Sequence, residues 1–424
     1  YFSLLDKNEK KIVLKIGNTS KLPLEIKKVE IVEEDDKSNL INLNSNNDLM
    51  SKLYLKPRFY NKPINYNYLK FDLVSDKRIK QILVQYKIAG LDEMISKTLD
   101  YPLLTKKSDE ISFNNVNDTT SNFEFLDFFQ NKILIKRGNF DIDQDLIIPR
   151  NKELIIAAGS NINLLKGSKI ISHSRIIAEG TPDDPIRINS PDNLGQCILV
   201  TNTKEKSVLK YVYFNNMSNC SSSNIELSGS INFYKTDVFM DNIYFSNNIK
   251  GDDYLNIINS KLLLKNLYFE NSYADSLDID YSVGKIHNIT FNNSGNDAID
   301  LSNSSIEIKN FEAEKIGDKA ISIGENTYIR GEFFKIDNSF LGLAIKDQSE
   351  IDIKNLIITN SGIPLASYIK KKEYNSSKIN IHGFSENNNS KKSIFEQGSN
   401  VVLNGKIIKN FKKNVLNIIY PINN

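Results

Sequence analysis

Five stretches align at a nearly constant spacing: "DDYLNIINS" (252–260), "ADSLDIDYS" (274–282), "NDAIDLSNS" (296–304), "DKAISIGEN" (318–326) and "LAIKDQS" (343–349). One column reads Asn256, Asp278, Asp300, Ser322, Lys346 and, in "LASYIKKKEY", Tyr368, with steps of 22, 22, 22, 24 and 22 residues. Its neighbour is apolar throughout: Leu255, Leu277, Ile299, Ile321, Ile345. A fixed period in the low twenties with strand-like alternation is the sequence mark of a solenoid. In "SLDID", Leu277 and Ile279 point inward while Ser276, Asp278 and Asp280 point outward.

The pattern extends on both sides. From about 132 short β runs follow one another to the end, which predicts an all-β chain: a right-handed single-stranded parallel β-helix of about 12 coils over 132–424. A β-sandwich-like domain is expected over 1–104, where short alternating runs are separated by turn residues. Between them, 105–131 reads as a linker and capping helix, with Ser121 or Asn122 as its cap and the "FEFLDFF" residues plugging the first coil. Asn266, Asn288 and Asn310, also 22 apart, predict an internal amide ladder that satisfies turn backbone.

Composition narrows the function classes. The 424 residues are 40% hydrophobic and 25% charged, enough to bury a core, and the formal charge of +2 gives no reason to expect nucleic acid. No apolar run is long enough for a transmembrane helix. Cys197 and Cys220 lie one coil apart and could form a disulfide or stay as two thiols. The chain begins at Tyr1, which reads as a processed product or a fragment.

The polar columns carry the functional expectation. Asp278 over Asp300, and Asp275 over Asp297, place carboxylates about 5 Å apart, a repulsion of about 3 kcal/mol at an effective dielectric near 20. Such stacks need a cation, a retained proton or lysines; Lys319 falls in the Asp275/Asp297 column and Lys346 lies two coils beyond Asp300. Asp275, Asp278, Asp297 and Asp300 could hold Ca²⁺ through oxygen ligands. Ser276, Ala298, Ala320, Ala344 and Ala366 form a column of small residues, expected to floor a shallow trough. The ligand-binding candidates around it are Asp253, Asn256, Asp275, Asp280, Ser322, Glu325, Lys370, Glu373 and Tyr374. If the face is catalytic, Asp278, Asp297, Asp300, Lys319, Lys346 and Tyr368 are the candidates, as acid and base for hydrolysis or as base and acid for elimination. The alternative is a solvated salt ladder on a structural rod. "GDD" at 251–253 resembles a polygalacturonase motif, but the Gly-His-Gly and Arg-Ile-Lys partners of that family are missing.

"INFYKTDVFMDN", "GDDYLNIINS", "ADSLDIDYSVGKI", "GNDAIDLSNS", "GDKAISIGEN", "LGLAIKDQSEI" and "YIKKKEY" occur in that order. Over about 178–375 the chain resembles the parallel β-helix region found downstream of CotH-like (spore-coat kinase-like) domains in bacterial surface and secreted proteins. The resemblance implies an extracytoplasmic setting and an upstream kinase-like domain or surface partner. It carries no phosphotransfer to this chain, which has no glycine-rich phosphate loop. The expected function is binding of an extended glycan along the Asp/Lys/Tyr face. The alternatives are a polysaccharide lyase, hydrolase or epimerase on the same residues, or a structural subunit of a surface or phage-like appendage.

Overall fold

A computed structural model describes residues 2–8, 11–33, 38–41, 53–58, 66–72, 79–100, 118–221 and 227–421. The chain forms two compact units, Tyr1–Ser112 with Ile369–Asn375, and Phe113–Tyr368 with Ser376–Asn424. The expected linker over 105–117 lies outside the described residues.

The small unit has two antiparallel sheets. One pairs Phe2–Asn8, Lys11–Gly17 and Tyr66–Asp72; the other is built around Leu24–Glu33 and Ile79–Ile88. Alternate residues of both meet in one core, among them Leu14, Ile16, Val29, Ile31, Leu69 and Val84. Glu373 and Tyr374 belong to this unit: Glu373 accepts from Tyr86 Oη at 3.0 Å and pairs with Lys97 at 2.9 Å, and Tyr374 Oη lies 2.6 Å from Thr19 Oγ1.

The large unit is a β-solenoid of about 12 turns. Its first coils hold three short strands each, as in Lys132–Ile135, Asn139–Ile142 and Leu146–Ile148, which pair in parallel with strands of the next coil. The corners use residues with positive φ, mostly asparagine: Asn266, Asn288 and Asn310 at one, Asn247, Asn271 and Asn293 at another. Asparagine tolerates the left-handed region better than bulkier residues do, which explains its abundance here. Inside, Phe214, Phe245, Phe269, Phe291, Phe311 and Phe334 stack coil upon coil with centroids 4.4–5.5 Å apart. Cys197 and Cys220 form a disulfide with Cα atoms 5.0 Å apart.

Two local expectations differ from the structure. The asparagine ladder is external: the three amides are exposed, and Asn288 and Asn310 each donate to the previous asparagine at 2.8 and 2.7 Å. An outward corner aims the amide at solvent and at its neighbours rather than at turn backbone. The expected capping helix is a single 3-10 turn, Thr120–Asn122, followed by the strand Leu126–Phe129 antiparallel to Lys132–Ile135. A strand supplies hydrogen bonds to the open edge of the first coil, which a helix cannot. Phe123 and Leu126 still close the core end. Among the described residues the α-helix is Val415–Ile419, and no helix is long and apolar enough to cross a membrane.

Candidate functional site

The strands Asp253–Ile258, Asp275–Asp280 and Ile299–Ser302 stack on one face, where the chain bends just before each inward leucine or isoleucine. At the bend two successive side chains are buried, Ser276 with Leu277 and Ala298 with Ile299. The polar residues on either side therefore turn toward each other. Register pairs Asp253 with Asp275, Asn256 with Asp278, and Asp278 with Asp300. Convergence of the two columns brings one carboxylate oxygen each of Asp275, Asp297 and Asp300 within 4.8 Å of one another.

Asp253, Asp275, Asp297 and Asn256 are buried, Asp278 and Asp280 are half-buried, and the Asp300 side chain is 30% exposed. Asn256 Nδ2 donates to Asp253 Oδ2 at 2.7 Å and Ser228 Oγ at 2.9 Å, with Asp278 Oδ2 at 3.4 Å. Asp275 Oδ1 accepts from Asn296 Nδ2 at 2.6 Å and the Asp297 amide at 2.8 Å. The Lys319 ammonium lies 3.2 and 3.3 Å from the two oxygens of Asp297 and also pairs with Asp318. Lys346 Nζ donates to Ser322 Oγ at 2.6 Å and lies 4.0 Å from Asp300 Oδ1, which has no hydrogen-bond partner.

Burial raises these acids. It pushes Asp253 up to about 6 against hydrogen bonds from Ser228 and Asn256. Burial and then the Asp297 charge push Asp275 up to about 8. Burial, then Asp280, Asp253 and Asp300, hold Asp278 well above its ordinary value. Asp297 rises to about 6 by burial despite Lys319. For Lys319 burial works downward, but Asp297 and Asp318 outweigh it and hold the ammonium above its usual range. The cluster thus keeps protons near neutrality and can both donate and accept them.

The register corrects the sequence columns beyond Ser322. Ser322 pairs with Ala344, and Lys346 with Tyr368, so Lys346 and Tyr368 stand one outward position away from the Asp278/Asp300 column. The extra residue is absorbed at the Glu325–Asn326 corner, where two residues in succession have positive φ, and the spacing returns through a register shift between Ile316 and Lys319. Lys346 nevertheless reaches Asp300, because Gly324 in the preceding coil has no Cβ; one would meet Lys346 Cε at 3.3 Å.

The small-residue trough is not present. Ser276, Ala298 and Ala320 are buried at the bend; Ala344 and Ala366 are buried with Leu341, Ile363 and Tyr368 against Val415 and Ile419 of the C-terminal helix. Glu325 sits at a corner, accepting from Asn303 at 3.2 Å. Lys370, Glu373 and Tyr374 fall in the small unit and do not join the acidic cluster. Sequence reading missed Ser228, Asn296, Asp318 and Tyr420. Tyr420 Oη donates to Asp318 at 2.7 Å, and its ring lies 5.7 Å from Lys319 Nζ, across 102 residues of sequence with no local signal.

A hard cation would find three carboxylates at Asp275, Asp297 and Asp300. Ca²⁺ asks for six to eight oxygens, and the Lys319 ammonium already holds both oxygens of Asp297. The donor set suits shared protons better than a divalent ion.

No protein-family model and no curated protein matches the chain. Among solved structures, it is similar to a substituted catalytic domain of a GH87 alpha-1,3-glucanase in complex with tetrasaccharides, with 11% identity over 94% of this chain and 91% of that one. The TM-score is 0.34, too low to carry an argument about this chain's chemistry.

Proposed function

We propose that the acidic face of the solenoid binds an extended glycan outside the cytoplasm. The observation that supports this reading is the convergent set Asp275, Asp297 and Asp300, flanked by the half-buried Asp278 and Asp280 and by Lys346. Protonated carboxyls, carboxylates and an ammonium repeat here at the coil spacing of about 4.8 Å. That offers both donors and acceptors to successive sugar hydroxyls. The Cys197–Cys220 disulfide favours an oxidising compartment. The sequence resemblance over 178–375 adds a CotH-like kinase domain or another surface component as a proposed partner.

Purified neutral and acidic polysaccharides, arrayed against wild type and Asp300→Asn, test the reading. Wild type should retain at least one of them, and Asp300→Asn should weaken it about tenfold. Removing one charge from a crowded acidic set relieves repulsion, so this variant should fold. No retention by wild type, or equal retention by both, overturns the proposal.

A second reading, hydrolysis, is favoured by the approach of Asp275 and Asp300, each with an oxygen within 4.8 Å of the other's, on the short side of the roughly 5–5.5 Å of retaining glycosidases. Asp300 would attack the anomeric carbon while Asp275 passes its proton to the departing oxygen; water then releases the sugar. Reducing ends should appear from a bound polysaccharide and fall off above about pH 8, where Asp275 loses its proton. A bound polysaccharide that yields none leaves a binding protein. Calcium is the competing occupant: if titration calorimetry detects Ca²⁺ binding that Asp275→Asn abolishes, the shared-proton account fails.

A further inference from the structure

A different part of the solenoid breaks its own rule. At the corner carrying Asn266, Asn288 and Asn310, each amide bonds the previous one, and the next positions in register are Phe333 and then Asn355. Phe333 holds φ at 59°, a conformation that disfavours a bulky aromatic, and its ring is 48% exposed. Tyr211, further back in the same column, is also an aromatic at positive φ, but it is half-buried, whereas Phe333 interrupts the run of asparagines and stands exposed. The break has a chemical consequence. Asn310 donates downward to Asn288, and among the described residues nothing donates to its Oδ1; the Asn355 amide likewise has no protein partner there. Both amides line an open groove of about 220 Å³ with Phe333, Ile357, Glu312 and Lys335.

We propose that this groove is a separate sugar-binding site, holding one pyranose ring of a glycan. The groove is open to solvent along one side, with room for a sugar ring. Phe333 and Ile357, exposed by 48% and 46%, offer an apolar platform. The negative face of an aromatic ring attracts the polarised C–H edge of a pyranose. Asn310, Asn355, Glu312 and Lys335 supply acceptors and donors for hydroxyls around it. None of these residues belongs to the acidic face, so the site stands or falls independently of the function proposed above.

Saturation-transfer NMR with glucose, galactose, mannose, N-acetylglucosamine and glucuronate, and with short oligosaccharides of each, tests the site on the whole chain. Three proteins are compared: wild type, Phe333→Asn and Asp300→Asn. Phe333→Asn restores the amide ladder and suits the positive φ, so its Tm should rise. A fourth protein, Asp300→Asn/Phe333→Asn, separates the two faces: with the acidic face weakened by Asp300→Asn, transfer to at least one sugar should persist, and adding Phe333→Asn should weaken it about tenfold. No transfer from wild type across the panel overturns the proposal. So does equal transfer from Asp300→Asn with and without Phe333→Asn, or complete loss on Asp300→Asn alone, which assigns the sugar to the acidic face. A lowered Tm for Phe333→Asn would give Phe333 a packing role and remove the premise.

Discussion

The same two outward columns of the solenoid carry opposite chemistry at their two ends. Over the coils at 253–300 they read Asp253, Asp275, Asp297 and Asn256, Asp278, Asp300. Past Lys319 and Ser322 the same positions become Leu341, Ile363 and Ala344, Ala366. One end gathers charges that retain protons, and the other receives the chain's own helix Val415–Ile419 on an apolar surface. A solenoid thus fixes where side chains stand, and the residue placed there decides whether the position meets solvent or more protein.

Lys319 marks the junction, and its loss should have the largest effect. Lys319→Met leaves the buried Asp297 without its cation, and breaking a buried pair on one side costs about 3–5 kcal/mol. Thermal unfolding should register this, with the loss widening as pH rises and Asp297 ionises. An unchanged Tm at pH 8 would mean that solvent already screens the pair.

Ile419→Ala probes the apolar end. Truncating a buried isoleucine costs about 2–5 kcal/mol, and Ile419 packs in this patch. The smaller figure is expected because the helix can detach alone. Protease should cut the C-terminal segment faster while the main unfolding transition stays in place; a drop of the whole transition would show that the helix is integral to the solenoid.

Acidity separates the two units. Asp275 has a folded pKa of about 8, raised above its unfolded value of 3.8, so the folded solenoid binds more protons between those limits and loses stability as pH climbs from about 4 to 8. Glu373 in the small unit is shifted the other way: burial opposes ionisation, but Lys97 and Tyr86 hold its pKa below the ordinary glutamate value. Its contribution is present above the unfolded pKa and is lost as pH falls. Chemical denaturation at pH 5 and pH 8 should favour the solenoid at pH 5 by about 1–2 kcal/mol, using 1.4 kcal/mol per pKa unit and discounting for coupling. Asp275→Asn should flatten that dependence; a slope unaltered by the substitution would exclude Asp275 as its source.

Gly324→Ala should have the smallest effect. The new Cβ would stand 3.3 Å from Lys346 Cε and press its ammonium away from Ser322 and Asp300. About 0.5 kcal/mol of stability is at stake, read better by weakened glycan retention than by melting.

Alternation along 252–304 was enough to find the inward leucines and isoleucines, because a strand has a period of two whatever surrounds it, but it placed Ser276 outward, where the structure buries it beside Leu277. The pattern made the apolar interior and the pairings of Asp275 with Asp297 and of Asp278 with Asp300 legible. Alignment by eye failed at the single 24-residue step. The residue added at the Glu325–Asn326 corner is given back at the register shift between Ile316 and Lys319, so this face keeps its 22-residue spacing: Ser322 is followed by Ala344 and Ala366, and Lys346 and Tyr368 stand two residues further on. Glu373 and Tyr374 looked like a continuation of the face because they follow Tyr368 in sequence. Their partners, Lys97, Tyr86 and Thr19, lie more than 270 residues away.

What the sequence determined by itself is local and periodic: a stacked β-solenoid with an apolar interior, and asparagines and acids recurring one coil apart. Tertiary structure alone decided that two of its outward columns converge at a bend to make a proton-retaining cluster. It also decided that Tyr420 reaches Asp318 and that the C-terminal helix covers the alanines. Periodicity is set by neighbours in sequence. Convergence depends on the bend and on side chains from several coils, and the separation of two carboxylates is fixed only when all the chain segments that bury them are in place.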